Sequence, residues 1–308
     1  MGNVVVLGSL NYDCLAVVDE FPKPGQTLAA RTLDFKLGGK GANQAVAAAR
    51  QGANVAMIGC VGDDGAGVAY IDYLKRRNVV TAGIVVREEA PTGTALICVR
   101  ERDGENTIVV GGGANETLTP AEVEAQQPLI AMGRIMLAQL EVPSACVVAG
   151  LKMARPMGTA TCLNPSPWRD DFPWGGLELD FVIVNEEEAA ALLGRRCWHL
   201  GDADWVLQRT GALRIDTLIV TRGASSTLAF SSVMPCIEVP AMKVEPVDTV
   251  GAGDCFAGAF AARWAENREF EKSLRAANVA GALATLERGA QEAIPPKEAV
   301  DEALANLS

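Results

Sequence analysis

The feature that most limits how this chain can fold is a regular alternation. Short strand-forming apolar runs at 4–8, 54–60, 134–140, 160–164, 180–185 and 216–222 are separated by Ala- and Leu-rich segments at 42–51, 65–77, 144–154 and 186–193. Strands interleaved with helical segments of that length belong to an α/β fold, in which a mainly parallel sheet is covered by helices on both faces. From residue 252 onward the chain reads as almost entirely helical.

Two segments break the rhythm. Residues 13–37 and 92–110 read as strands with no helix between them, and the second contains TALICVRERDGENTIVV, with Asp103-Gly104 between its arms. Asp-Gly between alternating residues is a strong hairpin signal. A single domain over 1–308 is expected, with strands inserted at about 12–37 and 92–112 forming a small separate sheet. Such a sheet can act as a lid over the carboxyl edge of the main one.

Composition removes several classes of function. With 308 residues, 49% of them hydrophobic, the chain can bury one large core, and its net charge of −11 argues against a broad electropositive face for nucleic acid or anionic lipid. An anionic substrate would have to be held by local dipoles. MGNVVVLG has no basic segment ahead of an apolar one, and no apolar run approaches the ~20 residues of a membrane span, so a cytoplasmic protein is expected. The eight cysteines show no C-x-x-C spacing and read as buried reduced thiols. A single histidine, His199, excludes a His-rich zinc site, makes a Ser-His-Asp triad improbable, and reads as a surface or packing residue.

Neither a G-x-x-x-x-G-K-[ST] loop nor a G-x-G-x-x-G fingerprint is present. A different anion site is offered by VDTVGAGDCFAGAF at 247–260. The N–H groups of Gly251, Ala252 and Gly253 at a helix start can stabilise a phosphoryl group in transfer, and Asp254 beside them can accept a proton from an attacking hydroxyl. The bland alternative for Asp254 is a first-turn aspartate favoured by the helix dipole. In LGGKGANQAVAAARQG at 37–52, the glycines permit close backbone approach, and Asn43 is a polar residue in the first turn of an apolar helix, suited to a ligand hydroxyl or a cap. Asn11 and Asp13, two apart in an extended segment, share a face and can hold neighbouring hydroxyls of a polyol. Glu141 follows a strand, at an edge where such folds bind ligands. Asn185 stands three residues before Glu188, a spacing that serves a capping box or a metal–phosphate contact.

These two long segments resemble the signatures of the ribokinase-like (PfkB) carbohydrate kinases. SLNYD, GDDGAG, TGTALI, GGGAN, QLE, LNPSP, NEEEA and RGAQ match in order, so the resemblance spans the whole chain. It implies a three-layer ribokinase-like fold with a small β-sheet lid, and ATP-dependent phosphorylation of the primary hydroxyl of a pentose, D-ribose first. Asp254 would be the base and Gly251, Ala252 and Gly253 the anion hole. Asn11, Asp13, Gly39, Lys40, Gly41, Asn43 and Glu141 would bind the sugar. Asn185, Thr221, Gly223, Ala224, Ser225, Ser226, Gly253 and Asn278 would surround the nucleotide, with Mg²⁺ reached by Asn185 and Glu188 through water. A K⁺ ion would lie near Asp248, Val250, Ala284, Glu287, Gly289 and Ala293, and the lid would form a homodimer. The chain departs from the family at Ala293, where a hydroxyl residue is common, at Asn278, where a histidine often stands, and at Gly111-Gly112-Gly113, which has an extra glycine. Other acceptors on the same scaffold are 2-deoxyribose, fructose, pseudouridine and adenosine. A non-catalytic sugar or nucleotide sensor would need no base.

Overall fold

The computed structural model describes residues 2–197 and 199–307, and within them the alternation resolves into two sheets. In chain order the strands are β1 (Asn3–Leu7), β2 (Asn11–Val18), β3 (Thr32–Gly38), β4 (Asn54–Gly62), β5 (Val79–Arg87), β6 (Thr94–Arg100), β7 (Asn106–Gly111), β8 (Ile135–Ala138), β9 (Ala160–Leu163), β10 (Leu179–Asn185), β11 (Ile215–Thr221), β12 (Ser226–Ser231) and β13 (Ile237–Pro240). The helices are α1 (Lys40–Arg50), α2 (Gly65–Arg76), α3 (Pro120–Glu124), α4 (Gln127–Met132), α5 (Ser144–Ala154), α6 (Glu186–Leu193), α7 (Ala203–Ala212), α8 (Ala252–Asn267), α9 (Phe270–Ala284) and α10 (Lys297–Leu307).

The large sheet runs β13-β12-β11-β10-β9-β8-β1-β4-β5, parallel from β11 to β5, with β12 and β13 antiparallel at one edge. Reading apolar runs misses β5, β12 and β13. β5 is an edge strand whose exposed positions interrupt its apolar pattern, and β12, although wholly buried, carries hydroxyls that pair across the ladder, as Thr217 and Ser231 do at 2.8 Å. Side chains alternate between two cores: Val4 and Val6 of β1 face α1, α2, α8, α9 and α10, while Val5 and Leu7 face α3 to α7. The central strands are therefore buried on both faces, where apolar burial stabilises the fold.

From β1 the chain crosses to β4 on one side and later returns to β8 on the other. The carboxyl ends of β1 and β8 therefore open a crevice at a reversal of strand order, the usual ligand position in such sheets. Against it α1 and α8 pack very closely. A Cβ at Gly258 would lie 2.4 Å from the Gln44 carbonyl oxygen and 2.6 Å from Ala47 Cβ. Glycine and the alanine face of α1 allow this approach, which sets the first turns of the two helices side by side.

The interrupting segments form the second sheet, β3-β2-β6-β7, with β2 and β6 parallel and the outer pairs antiparallel. Gly104 takes a φ of 73° in the turn between β6 and β7. One face of this sheet carries Leu33, Phe35, Leu96 and Val109, each more than half exposed, and the register aligns Phe35, Cys14, Leu96 and Val109 across all four strands. Among the described residues no helix is long and apolar enough to cross a membrane, and all eight cysteines are free. His199 is at the surface, 3.8 Å from Asp202 and outside the crevice.

Candidate active site

The site is built from the start of α8 outward. Gly251 caps the helix with a φ of 77°, and a Cβ there would lie 2.8 Å from Ala290 Cα, so both conformation and space require glycine. Ala252 and Gly253 follow, their N–H groups among those left without an intrahelical acceptor. Asp254 lies in the first turn of α8 and is buried.

Both oxygens of the Asp254 carboxylate accept side-chain amides from α1. Asn43 Nδ2 donates to Oδ2 at 2.9 Å and Gln44 Nε2 to Oδ1 at 2.9 Å. Charge-assisted bonds of this kind contribute about 1.5–3 kcal/mol each, enough to hold one rotamer. The amides are themselves held: Gln291 Nε2 donates to Asn43 Oδ1 at 2.9 Å, Gln139 Nε2 donates to Gln44 Oε1 at 2.6 Å, and Gln44 Nε2 also reaches Asn164 Oδ1 at 2.9 Å. Sequence reading singled out Asn43 but missed Gln44, Gln139, Asn164 and Gln291 as site residues. The available signal was a second polar residue in an otherwise alanine-rich helix, and a glutamine closing an apolar strand run.

Beside this cluster lies a second polar group. Glu141 Oε2 accepts from Ser9 Oγ at 2.5 Å and from the Lys40 N–H at 2.9 Å, tying the ends of β8, β1 and α1 together. The Lys40 side chain is drawn in: burial favours its neutral amine, but the charges of Asp254, Glu141 and Glu188 outweigh this and hold its ammonium above the ordinary value. Asn11 is buried and accepts from Asn115 Nδ2 at 2.8 Å. Asp13 accepts from the Ala95 N–H at 3.1 Å. Burial, opposed by that bond and reinforced by the charge of Glu141, pushes its carboxyl up to about 6. Gly39 starts α1 with a φ of 85° under Ser9 and Asn11, and Gly41 packs on Gly8. Asn11, Asp13, Gly39, Lys40, Gly41, Asn43 and Glu141 thus converge at the crevice.

A cleft of about 360 Å³ leads away from it. Thr221, Gly223, Ala224, Gly253 and Asn278 line it, together with Lys243, Thr249 and Phe256, which sequence reading did not select. Ser225 and Ser226 are not among its walls. Ser226 turns toward the β12–β13 edge, where its Oγ donates to Glu238 Oε1 at 2.7 Å. The Asn278 amide is engaged as a brace, accepting from Thr227 Oγ1 at 2.7 Å and donating to the Val239 carbonyl at 3.1 Å. Asn185 and Glu188 form the capping box of α6: Asn185 Oδ1 accepts from the N–H groups of Glu187 and Glu188, and Glu188 Oε2 accepts from the Asn185 N–H at 2.9 Å. Behind the start of α8, Asp248 accepts from the N–H groups of Val250 and Gly289, both at 3.0 Å, which joins 248–250 to the turn after α9. Ala284 and Ala293, at the two ends of that turn, are buried, while Glu287 is exposed.

A cleft, a glycine-rich helix start with a buried carboxylate, and a polar crevice meet at one point, an arrangement suited to phosphorylating a hydroxylated substrate. The pfkB family carbohydrate kinase profile matches residues 1–297, and the chain belongs to that family. Its relatives include the ribokinase of Bacillus subtilis (strain 168), 36% identical over 307 residues covering 99% of this chain and 100% of that protein. Among solved structures it is similar to ribokinase from Giardia lamblia, with a TM-score of 0.89, 26% identity, and coverage of 100% of this chain and 99% of the other. Arabidopsis thaliana ribokinase complexed with ribose and ATP also has a TM-score of 0.89, at 27% identity and 98% of each chain.

Proposed function

We propose that this carbohydrate kinase transfers the γ-phosphoryl group of ATP to the primary hydroxyl of D-ribose, forming ribose 5-phosphate and ADP. The observation that carries the reading is Asp254: a buried carboxylate, both oxygens held by amides, at the start of a helix and beside the Asn11–Asp13–Glu141 crevice. A solved relative that holds ribose and ATP supports the sugar assignment.

Ribose lies with its hydroxyls on Asn11, Asp13, Lys40, Asn43 and Glu141, its primary hydroxyl toward Asp254. Asp254 takes the proton as that oxygen bonds to the γ-phosphorus. The bond from this phosphorus to the β–γ bridging oxygen breaks, and ADP leaves with the electron pair. The Gly251, Ala252 and Gly253 N–H groups, with Lys40, stabilise charge on the transferring group. Adenosine and its phosphates occupy the cleft between Thr221 and Asn278.

No cluster of three or more His, Cys, Asp or Glu that could hold a metal occurs among the described residues. Mg²⁺ in kinase sites is bound through one or two carboxylates plus substrate phosphates. Glu188, buried and close enough to Lys40 to affect its charge, would hold it with Asn185 through water, and bound Mg²⁺ would neutralise phosphate charge. The Asp248 carboxylate, which joins 248–250 to the turn that holds Gly289, would take K⁺, and the ion would order the loop under Gly251. Ala293 supplies no hydroxyl there. The small sheet serves as a lid over the sugar, and its apolar outer face is the surface of a homodimer.

The test is ADP release by the purified chain with Mg-ATP against D-ribose, 2-deoxyribose, fructose, adenosine and pseudouridine, each with and without K⁺. Ribose is expected to lead. Asp254→Asn is expected to lower turnover by about 10²–10⁴-fold, the usual worth of a positioned base, while ribose and nucleotide still bind. Near-full turnover by that variant would remove Asp254 from its role, and preference for another acceptor would relocate the error to Asn11, Asp13 and Glu141.

A further inference from the structure

Two buried glutamines have no direct contact with Asp254, yet each reaches it through one other side chain. A carboxylate can only accept, so the amides facing it must present their NH₂ groups and turn their carbonyls away. Asn43 turns its carbonyl to Gln291, and Gln44 turns its carbonyl to Gln139. Both glutamines meet those carbonyls with an N–H. A side-chain amide that rotates by half a turn exchanges donor for acceptor, so a bond to the far end of each amide decides which group Asp254 sees.

The second observation is a cost. Gln139 Oε1 and Gln291 Oε1 are both buried with no hydrogen-bond partner among the described residues, a condition native proteins mostly avoid. A glutamine retained only for packing would be better replaced by an apolar side chain of like shape. Only the N–H halves of these two amides are in use. Gln291 Nε2 bridges Asn43 Oδ1 and the Tyr70 hydroxyl, each at 2.9 Å, and Tyr70 in turn donates to the Gly38 carbonyl. Gln139 Nε2 is directed at Gln44 Oε1 alone. Asn164 completes the second arm, accepting from Gln44 and donating to the Ile183 carbonyl at 2.9 Å.

We propose that Gln139 and Gln291 are positioning residues that lock the amides of Gln44 and Asn43 in the orientation that presents NH₂ groups to both oxygens of Asp254. The inference rests on Asp254 being the base. It assigns to two residues from separate elements, the end of β8 and the loop before α10, a shared task at one carboxylate.

The experiment replaces each glutamine by methionine, which keeps length and bulk and removes the donor. In Gln139→Met, kcat for ribose falls about ten- to a hundredfold, the loss that a slightly misplaced catalytic group produces, while KM for ribose and ATP stays within about threefold and Tm barely changes. Gln291→Met shows the same fall in kcat, with a larger effect on ribose KM because Asn43 also meets the sugar. A double-mutant cycle separates positioning from packing whatever happens to stability: once Gln44→Met has removed the intermediary, adding Gln139→Met leaves kcat within about twofold. Undiminished kcat in both single variants, or additive losses in the cycle, would overturn the proposal. If Asp254→Asn also retained turnover, the failure would lie with the base and not with the relay.

Discussion

Asp13 offers the most quantitative test of the sugar end. Its carboxyl is pushed up to about 6 by burial and by the charge of Glu141, against the opposing Ala95 N–H bond. A carboxylate that holds two sugar hydroxyls must be ionised, and with a midpoint near 6 the ionised fraction is about 0.9 at pH 7 and about 0.1 at pH 5. Ribose affinity should therefore weaken about tenfold between those values. The sign of the stability linkage is opposite. Because folding raises this group above its unfolded value, its contribution is fully present below about 4, the unfolded value, and is lost as the pH rises through about 6, so acid does not unfold the lid root through Asp13. Calorimetric titration of ribose from pH 5 to 8 should show the loss in the parent chain, and Asp13→Asn should bind weakly with a flat profile. A parent affinity constant over that range, or a slope that persists in Asp13→Asn, would refute the reasoning.

Three further outcomes follow from the packing. Gly258→Ala drives a methyl to within 2.4 Å of the Gln44 carbonyl oxygen; separating α1 from α8 should cost about 1–3 kcal/mol in denaturant unfolding and lower kcat, since Asn43 and Gln44 move with the helix. Shortening the β6–β7 hairpin around Asp103 and Gly104 should raise ribose KM by opening the crevice to water, whereas an unchanged KM would remove the lid from the account. Phe35→Glu combined with Leu96→Glu places two charges in the exposed apolar row and should convert a dimer into a monomer in light scattering; a parent chain that is already monomeric would end the dimer proposal.

The parts of this protein legible in the sequence are those encoded locally. Alternating apolar runs and helical segments specify layers of strand and helix, because burial on two faces demands continuous apolar residues. Glycines at 39 and 251 mark helix starts because their positive φ is a property of single residues. Asp254, Asn43 and Glu141 stand out as polar residues where the local pattern calls for small or apolar ones, and the resemblance to a kinase family attaches roles to them. Other features depended on distance in space. Gln44, Gln139, Asn164, Asp254 and Gln291 come from α1, the ends of β8 and β9, α8 and the loop before α10, and only sheet order and the close contact at Gly258 bring them within bonding reach. Ser226 donates to Glu238, and Asn278 braces Thr227 from the wall of the cleft, partners that no local pattern announces. A side chain's partner is chosen by what packs beside it, and for hydrogen bonds spanning 95 to 248 positions that choice exists only once the chain has folded.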